Sequence, residues 1–173
     1  VKSGLSEALM KDPGAVPRVS QYRLTAHLAT AVAIYGGTIF TAAEIMRQHK
    51  IATGRFPASD AAMLNNPVLK RFRIASHSLG SLILLTLLSG GLVAGLDAGL
   101  IYNEFPWMGN GIMPPKEELW SDRYVKPNDK GKWRNFFENP STVQFDHRTL
   151  AETTATLTTI LWAYSRNLPL PKN

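Results

Sequence analysis

Between Leu79 and Leu96 the chain carries no charged residue, inside a longer stretch from Ile74 to Gly109 that reads IASHSLGSLILLTLLSGGLVAGLDAGL and then IYNEFPWMG. At about 1.5 Å of rise per residue, a helix over this run is long enough to cross a ~30 Å hydrocarbon layer. Such a segment is a membrane span before it is anything else. Gly91, Gly95 and Gly99 fall four apart within it. On a helix they stack on one face and leave the backbone open to a neighbouring helix or to a flat ligand; the spacing leaves both readings open. Asp97, near the far end, is a carboxylate in or beside lipid and calls for a partner.

Average composition hides this feature. A chain that is 45% apolar with a mean hydropathy of −0.09 suits one soluble domain. Here, however, three apolar blocks alternate with polar, Pro-rich and Lys/Arg-rich stretches, which is the segregation of a multi-span membrane protein. The formal net charge of +6 is then a loop bias facing lipid headgroups. It is not a nucleic-acid footprint, because no basic patch is interleaved with exposed aromatics. The absence of cysteine excludes a disulfide framework, a thiol nucleophile and a Cys metal site. The first residue is Val1, and nothing before the first apolar block reads as a signal peptide. The expectation is a piece of a longer protein.

In chain order, residues 1–23 form a polar loop whose Tyr22 suits the headgroup zone. Residues 24–46 form a first span, with His27 about one turn in and Glu44 at the other end. Positions 27, 31, 34, 38 and 41 share a face and read His, Ala, Ile, Thr, Thr, room for a flat macrocycle or for another helix. Residues 47–73 form a loop with six Lys/Arg against one acid, Asp60, as expected on the negative-inside face of a membrane. Residues 74–101 are the second span. Residues 102–142 form a long polar loop with Trp107, Trp120 and Trp133 available for the interface; a loop of that length is functional or partly disordered. Residues 143–165 are a third span, the least hydrophobic, with six threonines able to bond carbonyls of the preceding turn or of neighbouring helices. Residues 166–173 are a tail. The fold class is all-α membrane protein with three transmembrane helices.

Depth sorts the histidines. Spans one and three start on the same side, so His27 and His147, each about one turn in, lie at similar depth. His77 starts the span that begins on the opposite face and lies roughly 20 Å or more away by helix rise. His49 is a solvated loop residue. A neutral imidazole within a bundle suits an axial haem ligand; it suits equally a hydrogen bond to a neighbouring helix. Arg148 beside His147 has the reach and fork geometry for a haem propionate. From residue types alone the reading stops at a membrane bundle that is a candidate cytochrome.

The strings GGLVAGLDAGLIYNEFPWMG, FENPSTVQFDHR and VSQYRLTAHLATA carry the reading further. Together they resemble the haem A synthase family of mitochondria and aerobic bacteria, over nearly the whole chain and most weakly in Val1 to Gly14, Gln48 to Leu69 and Asn110 to Arg134. The resemblance implies eight membrane helices in two pseudo-symmetric four-helix halves, each holding a haem between two histidines. It implies that this chain is the last helix of the first half followed by the first two of the second. On that mapping His27 is an iron ligand in the substrate-haem half and His147 is one in the half that holds a haem b. Their partner histidines and the family's catalytic glutamate lie outside the chain, so the fragment alone is expected to be inactive.

The implied reaction oxidises the C8 methyl of haem O to the formyl of haem A for cytochrome c oxidase assembly. The resemblance also implies a multi-pass protein of the mitochondrial inner membrane, surrounded by lipid, with a ferredoxin-like electron donor and room for a homo-oligomer. In the family a small polar residue is common where Glu104 stands, so no role is carried to that position. Bacterial relatives often carry a cysteine pair in an outer loop, and none can exist here. Two other classes stand beside this reading: a membrane b-type cytochrome in which His27 and His147 clamp one haem, and an assembly subunit with packed, unligated histidines.

Overall fold

The computed structural model describes residues 19–55, 66–127 and 131–168. Residues 1–18, 56–65 with Asp60, 128–130 and 169–173 lie outside the described residues. Three long helices organise the rest: α1 (Gln21–Ala52), α2 (Pro67–Gly95) and α3 (Pro140–Ser165). Between α2 and α3 run short helical turns at Ala98–Leu100, Lys116–Leu119, Asp122–Tyr124, Lys132–Arg134 and Asn135–Glu138. Among the described residues α1 and α2 are the two helices long and apolar enough to cross a membrane. α3, with its seven threonines and with Asp146, Arg148 and Glu152, is not one of them.

The helix ends follow local chemistry. α2 opens on Pro67, whose missing N–H costs nothing in a first turn, and Asn66 Oδ1 accepts from the Val68 N–H at 2.9 Å. α1 continues to Ala52 with His49 and Lys50 in its last turn, where the Lys50 ammonium meets the negative end of the helix dipole. Both helices therefore extend into the stretch read as the basic loop. α2 stops at Gly95, short of the expected Leu100 or Ile101, because Asp97 takes a left-handed backbone with φ 49°. Aspartate tolerates that conformation better than most residues. Asp97 thus lies beyond the helix, and its carbonyl accepts from the Leu100 N–H at 3.1 Å to start a helical turn.

The chain divides into two compact units, Val1–Ala29 with Leu85–Glu152, and Thr30–Leu84 with Thr153–Asn173. In the first, α2 approaches the start of α1 as closely as backbone allows. A Cβ built on Gly95 would lie 2.4 Å from Gln21 Cα, and one on Gly91 would lie 2.9 Å from Thr25 Oγ1 and 3.2 Å from its Cα. The glycine spacing is a packing device at these two positions. It is not one at Gly99, where nothing lies within 4 Å, because the helix has already ended.

The start of α3 is the most buried part of the first unit, with Ser141, Thr142, Val143 and Gln144 all enclosed. Asn139 is the cap: its Oδ1 accepts from the Ser141 N–H at 3.1 Å, and Pro140 takes the first helical position. The Asn139 amide donates to Glu118 O at 2.7 Å and to Asn135 Oδ1 at 2.9 Å, while Asn135 donates to Ser121 O and Lys132 O. Thr142 Oγ1 donates to Leu119 O at 2.7 Å. The polar stretch before α3 is thereby folded onto the helix. Met108, fully enclosed, closes a tight turn with Gly111, in which Gly109 supplies φ 76°.

In the second unit Phe72 and Tyr164 meet at 6.4 Å between ring centres. Next to them Ala75, Leu79, Leu82, Leu157, Ile160 and Leu161 line an apolar groove of about 440 Å³. Glu44 receives a two-pronged contact from Arg47 at 2.9 and 2.7 Å and a bond from Gln48 at 2.7 Å. Threonine hydroxyls bond the preceding turn, as Thr158 to Thr154 O and Thr159 to Ala155 O. No residue of α1 is buried, and Ile34 and Phe40 are 66% and 72% exposed. So apolar a helix, covered in part at its start and exposed over most of the rest, needs hydrocarbon or further protein around it.

The close approach at Gly95 sets a test. Gly95→Ala must push α1 and α2 apart and is expected to cost about 1–3 kcal/mol. Gly99→Ala, in open space, is expected to be neutral. Thermal melts of the two variants of the full-length parent protein in detergent compare them directly; equal melting temperatures would contradict the packing.

Candidate functional site

The capped and enclosed first turn of α3 fixes where the next turn points. There His147 is half-buried, with Nδ1 2.8 Å from Ser89 Oγ on α2. The same serine hydroxyl lies 2.7 Å from Thr86 O. The imidazole edge rests on Gly90, where a Cβ would fall 3.1 Å from Cε1. Neighbouring glycines thus serve two partners: Gly90 faces His147 on α3, and Gly91 faces Thr25 and Leu28 on α1. Among the described residues nothing hydrogen-bonds His147 Nε2.

His27 is on α1 within the same unit and is exposed. Thr25 and Leu28 turn toward Gly91, so helical spacing places the side chain of His27 on a different face. No hydrogen bond among the described residues joins it to His147. His77 lies in the other unit, exposed, with Nδ1 2.6 Å from Arg73 O. His49, read as a loop residue, is in the last turn of α1 and exposed.

Arg148 is occupied by the chain itself. Its guanidinium donates to Trp107 O at 3.2 Å and to Pro106 O and Tyr102 O at 3.4 Å, and it lies 5.7 Å from the Phe105 ring centre. It anchors the Tyr102–Trp107 segment beside His147. Gln144 locks the same segment by copying a backbone pair: its Nε2 donates to Tyr102 O at 2.7 Å, and its Oε1 accepts from the Tyr102 N–H at 3.2 Å. Glu118 completes the clasp, accepting from Tyr102 Oη at 2.7 Å and from Ser141 Oγ. Burial, and after it the bond to Glu118, push the Tyr102 phenol up to about 12, so it remains a donor at neutral pH. Glu104 is exposed at the edge of this segment.

Among the described residues no three His, Asp or Glu side chains cluster as they would around a bare metal ion. A single imidazole with Nδ1 engaged by Ser89, Nε2 without a hydrogen-bond partner among the described residues and its edge on Gly90 instead suits a metal that arrives with its own ring of donors. Haem is such a group, and His147 is the residue here that could hold its iron. Ser89 and Gln144 were not legible as site residues from the sequence. The signal available for Ser89 was a hydroxyl in an apolar helix, three residues after Thr86.

A family profile described as cytochrome oxidase assembly protein, COX15-CtaA, matches residues 1–173. The chain belongs to that family. Curated members resemble it over nearly its whole length. The heme A synthase-mitochondrial ferredoxin fusion protein of Schizosaccharomyces pombe is 45% identical, with 96% of this chain and 28% of that protein covered. Heme A synthase COX15 of Bos taurus is 42% identical, covering 99% of this chain and 36% of that protein. The heme A synthase of Nitrosospira multiformis is 40% identical, covering 98% and 40%. The chain therefore spans about a third of the length of the curated COX15-CtaA relatives it matches. No solved structure matches it.

Tyr102→Phe removes the donor to Glu118 and is expected to cost roughly 1–2 kcal/mol. Because the folded phenol holds its proton above the ordinary value of 10.0, up to about 12, the unfolded chain releases a proton first and stability falls as pH rises between those values. Alkaline melts should show that fall in the wild type and a flatter profile in Tyr102→Phe; identical profiles would remove Tyr102 from the clasp.

Proposed function

We propose that the full-length parent of this chain is a haem A synthase that oxidises the C8 methyl of haem O to the formyl group of haem A for cytochrome c oxidase assembly. The observation that carries this is the 40–45% identity to heme A synthases over nearly the entire chain. The parent has eight membrane helices in two four-helix halves. α1 closes the first half, and α2 and α3 open the second, with α3 crossing the membrane as an interior helix. The uncovered apolar surface of α1 supports further helices and lipid around it, and the protein is multi-pass in the mitochondrial inner membrane.

His27 is the iron ligand this chain supplies to the substrate haem O, and His147 the one it supplies to a haem b. The Nε2 of His147, without a hydrogen-bond partner among the described residues, and the Gly90 backbone beside the ring support the second assignment; the exposure of His27 leaves it accessible to a group held mainly by helices outside this chain. A bound haem b supplies reversible one-electron transfer. The chain's own residues hold and orient: Ser89 and Gly90 fix the imidazole, and Arg148 holds the Tyr102–Trp107 segment with donors left over for a propionate. The partner histidines and the catalytic glutamate belong to helices outside the chain, so the fragment alone is inactive. A ferredoxin-like protein donates electrons, a reading supported by the ferredoxin fused to the Schizosaccharomyces pombe relative.

The test is haem extraction from a host that makes haem O and expresses the full-length parent. Wild type is expected to accumulate haem A, and His27→Ala and His147→Ala each to abolish it. Wild type that retains haem B and makes no haem A, with substrate and donor present, would overturn the reading.

A further inference from the structure

A serine hydroxyl has one proton to give. Ser89 Oγ lies 2.7 Å from Thr86 O, an acceptor that can only receive, and 2.8 Å from His147 Nδ1. With its proton given to the carbonyl, the hydroxyl has only lone pairs left for the imidazole. His147 must then carry its own proton on Nδ1 and donate it to Ser89. The other nitrogen, Nε2, keeps its lone pair and has no hydrogen-bond partner among the described residues.

We propose that Ser89 is the positioning residue of His147: it selects the Nδ1–H tautomer and holds the ring so that Nε2 alone is presented to haem iron. This rests on the reading of His147 as a haem ligand and deepens it. The relay is well suited to the task, because Thr86 O, Ser89 and Gly90 all belong to α2 and so move as one body. Gly90 adds the second constraint, a Cβ-free floor under the ring edge, where a Cβ would stand 3.1 Å from Cε1. An acceptor at Nδ1–H also makes the ring a stronger electron donor at Nε2, as outer-shell partners of metal-bound histidines generally do. Ser89 therefore tunes the metal as well as orienting its ligand, favouring the ferric state and lowering the reduction potential.

The experiment uses the full-length parent purified with its haem b, and measures haem transfer to apomyoglobin together with the midpoint potential. Ser89→Ala is expected to weaken haem retention by roughly 10–100-fold and to raise the potential. Ser89→Thr and Ser89→Val have the same shape and differ in the hydroxyl, so the threonine variant should behave as wild type and the valine variant as Ser89→Ala, whatever small packing cost they share. Equal retention and potential in the Thr and Val variants would overturn the role of Ser89. His147→Ala separates the two levels of the argument. If it strips this haem while Ser89→Ala retains wild-type affinity and potential, the ligand assignment holds and the Ser89 inference fails. If His147→Ala keeps the haem with an unchanged spectrum, the ligand reading itself fails.

Discussion

The structure depends on the approach of backbone to backbone along one helix that has given up its side chains. The first helix comes so near that a methyl group would collide with backbone at Gln21 if placed on Gly95, and with the Thr25 hydroxyl if placed on Gly91. Where hydrophobic burial contributes little between helices already in an apolar solvent, contact of this kind is what holds them. One residue back, Gly90 gives an imidazole edge a close seat, with a Cβ there 3.1 Å from Cε1. The run of two glycines thus lets a single helix receive a helix on one side and a histidine ring on the other. Ser89, adjacent again, supplies the hydrogen bond that gives the ring its orientation.

The second constraint is polar. α3 begins in a cluster of amides and hydroxyls in which Asn135, Asn139, Thr142 and Gln144 each satisfy backbone carbonyls of the preceding segment. Buried polar groups are tolerated when so paired and costly when not. Because the cluster pins the first turn of α3, it also fixes the rotation of the second, where His147 and Arg148 lie. The long polar segment therefore works as the mount of the histidine. Its exposed Trp107, Trp120 and Trp133, between 43% and 50% accessible, lie on the outside of that mount.

Much of this was legible in the chain. The apolar runs, the spacing of Gly91 and Gly95, and the threonines that bond their own helix all follow from period and residue type, and the family follows from strings such as NPSTVQFDHR. The physical reasons for the misses are equally specific. Gly99 continues the four-residue spacing on paper, but Asp97 ends the helix by adopting φ 49°, a choice that a spacing rule does not encode. The carbonyls of Tyr102, Pro106 and Trp107 that Arg148 holds lie more than forty residues away in the chain, so this second set of partners is set by the fold and not by its neighbour His147. Ser89 was invisible because a hydroxyl in an apolar helix ordinarily bonds the preceding turn and stops there; this one does so and still has lone pairs for a ring on another helix. Asn139 and Gln144 act through partners set by the fold, which no local pattern reports.

The central claim is that this helix face presents His147 with Nε2 outward to haem iron. The most direct measurement is an experimental structure of the haem-loaded full-length protein that resolves which atom of His147 meets the metal. The account predicts Nε2 on the iron, Nδ1 on Ser89 Oγ and the ring edge on Gly90. An iron ligated through other residues, with His147 turned away, or bound through Nδ1 with the Ser89 contact broken, would contradict it.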